Sequence, residues 1–210
     1  MNLEIIHVGL LGTNCYVTWD DHKHCVVVDC GGDAQEVADF IRKNDFTPTH
    51  LLLTHGHGDH TGGAADLKDI FPQMQIVMGQ KDMELIGDGE KSMSDQVAPY
   101  ARPFAVDIQA KEGDKIVSGE MVFTVMETPG HTKGGVTYIK GNELYCGDTL
   151  FQGSMGRTDL YGGSDEQMYQ SLKRIGALQG YYKVFPGHGS ATNLEDEKLA
   201  NPFLRHAMAM

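Results

Sequence analysis

The run Thr54-His55-Gly56-His57-Gly58-Asp59-His60 places three imidazoles and one carboxylate within a few residues of one another. Neutral imidazole and ionised carboxylate are donors for first-row divalent metals, and zinc, iron and manganese all accept them. In an extended segment alternate residues point the same way, so His55 and His57 can grip one ion while Asp59 and His60 turn toward a second. His131 (in Thr128-Pro129-Gly130-His131), Asp148 (in Cys146-Gly147-Asp148) and His188 (in Pro186-Gly187-His188-Gly189) stand in similar glycine-flanked settings. Glycine lets the backbone turn tightly and lets donors approach an ion closely. Two divalent ions ~3.5–4 Å apart lower the pKa of a bound water toward ~7 and stabilise the oxyanion formed on attack at a carbonyl or phosphoryl centre. Hydrolysis with no serine or cysteine nucleophile is the chemistry such a set predicts. Cys146 reads as a small hydrophobe at a strand end. His7, His22, His24, His50 and His206 lack this setting and read as surface or satisfied core residues.

Donors this far apart in the chain must be delivered by strand ends that share one rim. Strands are predicted at Leu3 to Val8, Cys15 to Trp19 and Cys25 to Asp29, separated by Gly12-Thr13-Asn14 and Asp20-Asp21 turns. Asp33 then caps a helix with Val37, Phe40 and Ile41 on one face, and Pro48 precedes a strand from His50 to Thr54 that runs into the histidine cluster. A helix over 63–71, a strand Gln75 to Met78 and a short helix around Lys81 to Ile86 continue the alternation, which places the chain in the α/β class. Residues 88–106 lose periodicity and are long for a plain connection, as expected of a loop or lid bordering a site. Strands return at Lys115 to Val117, Met121 to Thr128, Gly135 to Lys140 and Glu143 to Cys146, the last two joined by a Gly141-Asn142 hairpin turn. A helix from Ser164 to Ala177, with Met168, Leu172 and Ile175 on one face, leads to the strand Tyr182 to Phe185. His131 and His188 each follow one of these strands.

The whole chain sets the remaining bounds. Its 210 residues fit one domain, 1–210, with a sizeable core. A formal charge of -12, with no lysine- or arginine-rich stretch, argues against nucleic acid as a partner. The start Met1-Asn2-Leu3-Glu4 lacks the basic flank and apolar run of a secretory signal, and no segment is apolar for long enough to span a bilayer, so a soluble, cytoplasmic protein without a membrane partner is expected. Cys15, Cys25, Cys30 and Cys146 are scattered and read as reduced thiols.

The order His55-x-His57-x-Asp59-His60, His131, Asp148, His188 resembles the metallo-β-lactamase superfamily, over essentially the whole chain. The resemblance implies an αβ/βα four-layer sandwich with the site at one edge. It assigns His55, His57 and His131 to one metal and Asp59, His60 and His188 to the other, with Asp148 bridging, so that Asp59 and Asp148 are catalytic. It also places Asp29, which closes Val26-Val27-Val28-Asp29, as a support behind the ligands. The cofactors implied are two divalent ions, zinc first, with iron or manganese also suited.

Within the superfamily, Thr13-Asn14-Cys15-Tyr16, Glu127-Thr128-Pro129-Gly130-His131-Thr132 and Cys146-Gly147-Asp148-Thr149-Leu150-Phe151 resemble the glyoxalase II-like group. Gly156-Arg157-Thr158-Asp159-Leu160 and the ending through Asn201-Pro202-Phe203 resemble its short form, which lacks the C-terminal glutathione-binding helical region. The reaction implied is hydrolysis of a small-molecule thioester of the hydroxyacyl-glutathione type by a metal-bound hydroxide. The Gly156-Arg157-Thr158-Asp159 segment also resembles that of persulfide dioxygenases, which use a single iron at the positions of His55, His131 and Asp148. Lactone and phosphodiester hydrolysis are further reactions of the fold. Arg157 has two readings, a contact to a substrate carboxylate or a tie to Asp159 that holds its loop.

Overall fold

The computed structural model describes residues 2–210. Its first sheet comprises β1 (Leu3–Val8), β2 (Thr13–Trp19), β3 (His24–Val28), β4 (Thr47–Leu53), β5 (Gln75–Gly79) and β6 (Ile108–Ala110), in that spatial order. β1 to β3 pair antiparallel and β3 to β6 parallel. The second sheet contains β7 (Lys115–Ser118), β8 (Met121–Glu127), β9 (Val136–Lys140), β10 (Glu143–Gly147), β13 (Lys183–Pro186) and β14 (Thr192–Asn193), in the order β14-β13-β10-β9-β8-β7. Between β10 and β13 the chain forms a small two-stranded ribbon, β11 (Leu150–Phe151) and β12 (Ser154–Met155).

The strands of the first sheet are apolar on both faces because both faces are covered. Val26, Val28, Leu52 and Val77 turn inward to meet Phe123, Val125, Tyr138, Tyr145 and Phe185 of the second sheet. Their neighbours Val27, Leu51, Leu53 and Ile76 turn outward against α1 (Ala34–Lys43) and α3 (Ala64–Ile70) through Val37, Ile41 and Leu67. This period-two alternation between two buried faces is what a parallel sheet core requires. On the far side, α5 (Asp165–Gly176), α6 (Leu194–Ala200) and α7 (Pro202–Ala209) cover the second sheet through Met168, Leu172, Ile175, Leu194 and Leu204. The result is the helix, sheet, sheet, helix stack of an αβ/βα sandwich.

Several local expectations change. β4 starts earlier than expected, with Pro48 inside it opposite Cys25; Thr49 is the extra residue of a bulge opposite Cys25/Val26, which breaks the ladder beside a residue that cannot donate to it. β6, α6 and α7 have no counterpart among the expected elements. Asp59 and His60 do not lie on extended chain: His57 caps the short helix α2 (Gly58–Thr61), and that turn directs them toward a second set of donors while keeping the His60 ring 4.1 Å from that of His55. The 88–106 segment contains α4 (Ser94–Val97) and is pinned. Ser92 accepts the Gly58 N–H at 2.8 Å, Tyr100 donates to the Gly31 carbonyl at 2.8 Å, and Arg102 is paired with Asp69 at 2.7 Å. Met93 and Val97 of this segment form part of the wall of the site.

Candidate metal centre

Strand ends of both sheets converge on one edge of the sandwich, and the sequence-identified donors meet there. The residues after β4 carry His55, His57, Asp59 and His60, while the segments after β8, β10 and β13 deliver His131, Asp148 and His188. Ring or carboxylate atoms of His55, His57 and His131 lie within 4.8 Å of one another, as do those of Asp59, His60 and His188, and those of His55, His60 and Asp148. His57 Nδ1 is 2.9 Å from His131 Nε2. Asp59 Oδ2 is 3.0 Å from His188 Nε2 and 3.6 Å from His60 Nε2. Asp148 stands between the groups, with Oδ1 3.3 Å from His60 and Oδ2 3.6 Å from His131 and 3.7 Å from His188.

Hydrogen bonds behind these side chains aim them. Asp29, at φ 56 just past β3, accepts the Thr54 N–H, the Thr54 hydroxyl and the His60 Nδ1–H, each at 2.8 Å. His55 Nδ1 lies 3.1 Å from the same Thr54 hydroxyl, so one carboxylate orients both imidazoles with Nε2 toward the centre. His131 Nδ1–H donates to the Arg157 carbonyl at 2.6 Å. The His188 loop is held by Asn14, whose amide donates to the Pro186 and Gly189 carbonyls, and by Tyr16, whose hydroxyl donates to Pro186 at 2.6 Å. Gly187 leaves no space for a side chain: a Cβ there would stand 2.2 Å from Asp148 Oδ1 and 2.5 Å from His60 Cε1.

Asp82 escaped the sequence reading. It is fully buried, and its carboxylate accepts the Gly56 N–H at 2.9 Å, the Thr132 hydroxyl at 2.7 Å and the Gly134 N–H at 2.6 Å, tying the first histidine loop to the segment after His131. Burial raises its pKa against the pull of these three donors. No spacing signal marks it, because it lies in a polar 3₁₀ turn, Gln80–Leu85, in which nothing distinguishes it from surface acids.

Electrostatics fit a cation. Burial and the neighbouring histidines His60 and His131 hold His55 well below its ordinary pKa, and burial with His131 pushes His57 down to about 3. These rings therefore offer lone pairs. Burial opposes charge on His60, but Asp148, Asp59 and Asp29 outweigh it and raise its pKa; burial likewise opposes ionisation of Asp148, but His60, His131 and His188 hold it below the carboxylate range. His55 Nε2 is buried without a hydrogen-bond partner, an expensive state that a metal at that atom would satisfy.

A cavity of about 400 Å³ opens onto His57, Asp59, His131, Asp148 and His188, with Leu11, Met93, Val97, Phe151, Arg157 and Leu160 forming the rest of its wall. Arg157 makes a two-pronged contact to Asp159, both arms at 2.7 Å, so its guanidinium ties down its own loop while edging the cavity. Phe151 is fixed by Asn201, whose amide donates to its carbonyl at 3.1 Å. Among the described residues, none after His188 lines this cavity. Cys146 is buried and its thiol is pushed up to about 12 by that burial, which suits packing and not nucleophilic attack.

A two-sheet sandwich that gathers histidines and carboxylates at one edge defines a metal-dependent hydrolase. The chain matches the family model of the metallo-β-lactamase superfamily over residues 8–188 and belongs to that superfamily. It is 34% identical to a hydroxyacylglutathione hydrolase, GloC, of Haemophilus influenzae, over 97% of this chain and 98% of that one. The crystal structure of the BLEG-1 B3 metallo-β-lactamase superposes with a TM-score of 0.90 at 33% identity, covering 96% of this chain and 99% of that chain. A di-iron-bound form of TTHA1623 gives 0.84 at 30% identity, covering 95% and 99%. Among the described residues, no helix is long and apolar enough to cross a membrane.

Proposed function

We propose that this protein, acting as a single domain in the cytoplasm, hydrolyses a small-molecule thioester of the hydroxyacyl-glutathione type at a binuclear centre. His55, His57 and His131 would hold one divalent ion, Asp59, His60 and His188 the other, and Asp148 would serve both, with zinc the first choice and iron or manganese also suited. The observation that carries this reading is the position of Asp148, whose two oxygens lie within 3.3 to 3.7 Å of histidines from both groups. When bound, the ions supply an acidified water and an electrophilic clamp on the thioester carbonyl.

The chain's own groups do the rest. Asp59 and Asp148 face the cavity and accept hydrogen bonds from an incoming water, setting its oxygen toward the substrate. Asp29 and Thr54 keep His55 and His60 from rotating, and the Arg157 carbonyl does the same for His131. Leu11, Val97 and Phe151 displace bulk water from the acyl group. Water's oxygen joins the acyl carbon as the C–S bond breaks, giving a carboxylic acid and a thiol. Similarity to GloC along nearly the full length of both chains supports the thioester as substrate.

The test is metal analysis of the isolated protein, joined to thiol release from S-lactoylglutathione and oxygen uptake with glutathione persulfide. The expected outcome is two equivalents of metal and thiol release without oxygen uptake. Asp59→Ala is expected to remove one equivalent and most of the turnover. Oxygen uptake with glutathione persulfide at a single iron, without thiol release and unaffected by Asp59→Ala, would establish a sulfur dioxygenase instead.

A further inference from the structure

Met93 and Leu160 border the cavity over the metal-site residues. These two side chains also border a second hollow of about 470 Å³ and form the sill between the two spaces. Met93 sits there at φ 61, ψ 7, a left-handed conformation uncommon for a residue with a side chain. Neighbouring bonds hold it: Ser92 accepts the Gly58 N–H at 2.8 Å, and the Met93 carbonyl accepts the N–H groups of Gln96 and Val97 at 3.0 Å. The strained turn is thus tied to the loop that bears His57 and Asp59.

The charge beyond the sill is net negative by one acid once its ion pairs are counted. Asp88, Glu90 and Asp159 line the hollow against the single cation Lys91. Lys91 is engaged by Asp88 at 3.0 Å, and Arg157, the cation on the catalytic side, by Asp159 at 2.7 Å. Glu90 is exposed and makes no ion pair among the described residues. With Asp88 and Asp159 each paired to a cation, Glu90 is the unpaired charge of the hollow among the described residues, and a carboxylate entering this space meets it.

We infer that the thiol carrier of the substrate leaves the catalytic cavity across the Met93–Leu160 sill and lies in this hollow, which favours carriers that are uncharged or cationic over carriers bearing two carboxylates. The inference rests on the thioester reading above and revises its carrier, because glutathione bears two carboxylates. Met93 and Leu160 grip the apolar methylenes next to the sulfur, and Glu90 repels anionic groups further along.

The experiment compares kcat/KM of the metal-loaded protein for S-lactoylpantetheine, whose carrier is uncharged, and for S-lactoylglutathione. The uncharged carrier is expected to lead by about tenfold at low ionic strength, with the gap shrinking as salt screens the hollow. Glu90→Lys, an exposed change, is expected to move that ratio about fivefold toward glutathione. Calorimetry on the metal-free protein with the uncleavable S-methylpantetheine and S-methylglutathione is expected to give the same order. Met93→Gly is expected to keep or raise Tm, because glycine accepts φ 61 without strain, while raising KM for the pantetheine ester about fivefold. A merely structural Met93 would lower Tm and leave KM alone. Better turnover of S-lactoylglutathione, with a ratio that Glu90→Lys does not move, overturns the inference and leaves thioester hydrolysis standing. Failure to cleave either ester removes the thioester reading, and the inference falls with it.

Discussion

The two halves of the sandwich furnish the site in opposite ways. The first sheet contributes four candidate ligands from one loop and one short helix, backed by a single carboxylate, Asp29, that touches Thr54 and His60 directly. The second sheet contributes one donor from each of three strand ends, and each is steadied by a different partner: the Arg157 carbonyl for His131, His60 for Asp148, and the Asn14-anchored loop for His188. A cluster contiguous in sequence is positioned locally. Dispersed donors depend on the packing of the whole second sheet against the first, and the site is as good as the joints between the halves.

The contrast is sharpest at Asp148, the second-sheet residue that reaches both groups. Asp148→Ala is expected to cost at least about 1,000-fold in turnover and to lower metal content for both ions, read by metal analysis and thiol release. Retention of one full equivalent would mean that the halves bind metal independently.

Next comes Asp82, the joint itself. Asp82→Ala strips acceptors from the Gly56 and Gly134 N–H groups and the Thr132 hydroxyl, and is expected to destabilise the fold by about 3 kcal/mol in denaturant unfolding. A variant as stable as the parent would show that water replaces the carboxylate at no cost. Asp29→Ala should leave the joint between halves intact while weakening metal affinity about 10- to 100-fold, because His55 and His60 lose their orienting partner. An equal loss of stability in the two variants would erase the distinction between local and joint support.

The smallest effect is expected from the cysteines. All four are buried, and burial raises Cys25 and Cys146 to about 12, so their thiolates are scarce at any pH below that value. Native protein at pH 8 is therefore expected to react slowly with a thiol reagent, and urea-unfolded protein to react at all four positions. Rapid labelling of Cys146 alone would show that the second half opens by itself.

Much of the centre was legible because its donors announce themselves by type and neighbours: a histidine beside glycine after an apolar strand is rare unless it serves a purpose. The strands Leu3–Val8 and Gln75–Gly79 and the helix Asp165–Gly176 were legible from periodicity, and the structure adds Ser164, which accepts the Gln167 N–H as a helix N-cap does. Less was visible where local chemistry is ambiguous. β6 has three residues, too few for a pattern, and exists because β5 offers it an edge. Helices α6 and α7 depend on Asn193 and Asn201 as caps and on an apolar partner in α5. The 88–106 segment reads as loose from its composition, whereas its anchors, Gly58, Gly31 and Asp69, lie far away in the chain.

By itself the sequence determined the donor types, their order, and the alternation of strands and helices, because imidazole and carboxylate chemistry and hydrophobic period are properties of residues and their near neighbours. Only the tertiary structure decided that Asp148 stands between two histidine groups, that Asp82 joins the halves, and that Met93 and Leu160 border both the cavity and a second hollow. Each of these is a distance between chain segments brought together by burial of the two sheets, and the energy that sets such a distance lies in the packed core and in no local stretch of chain.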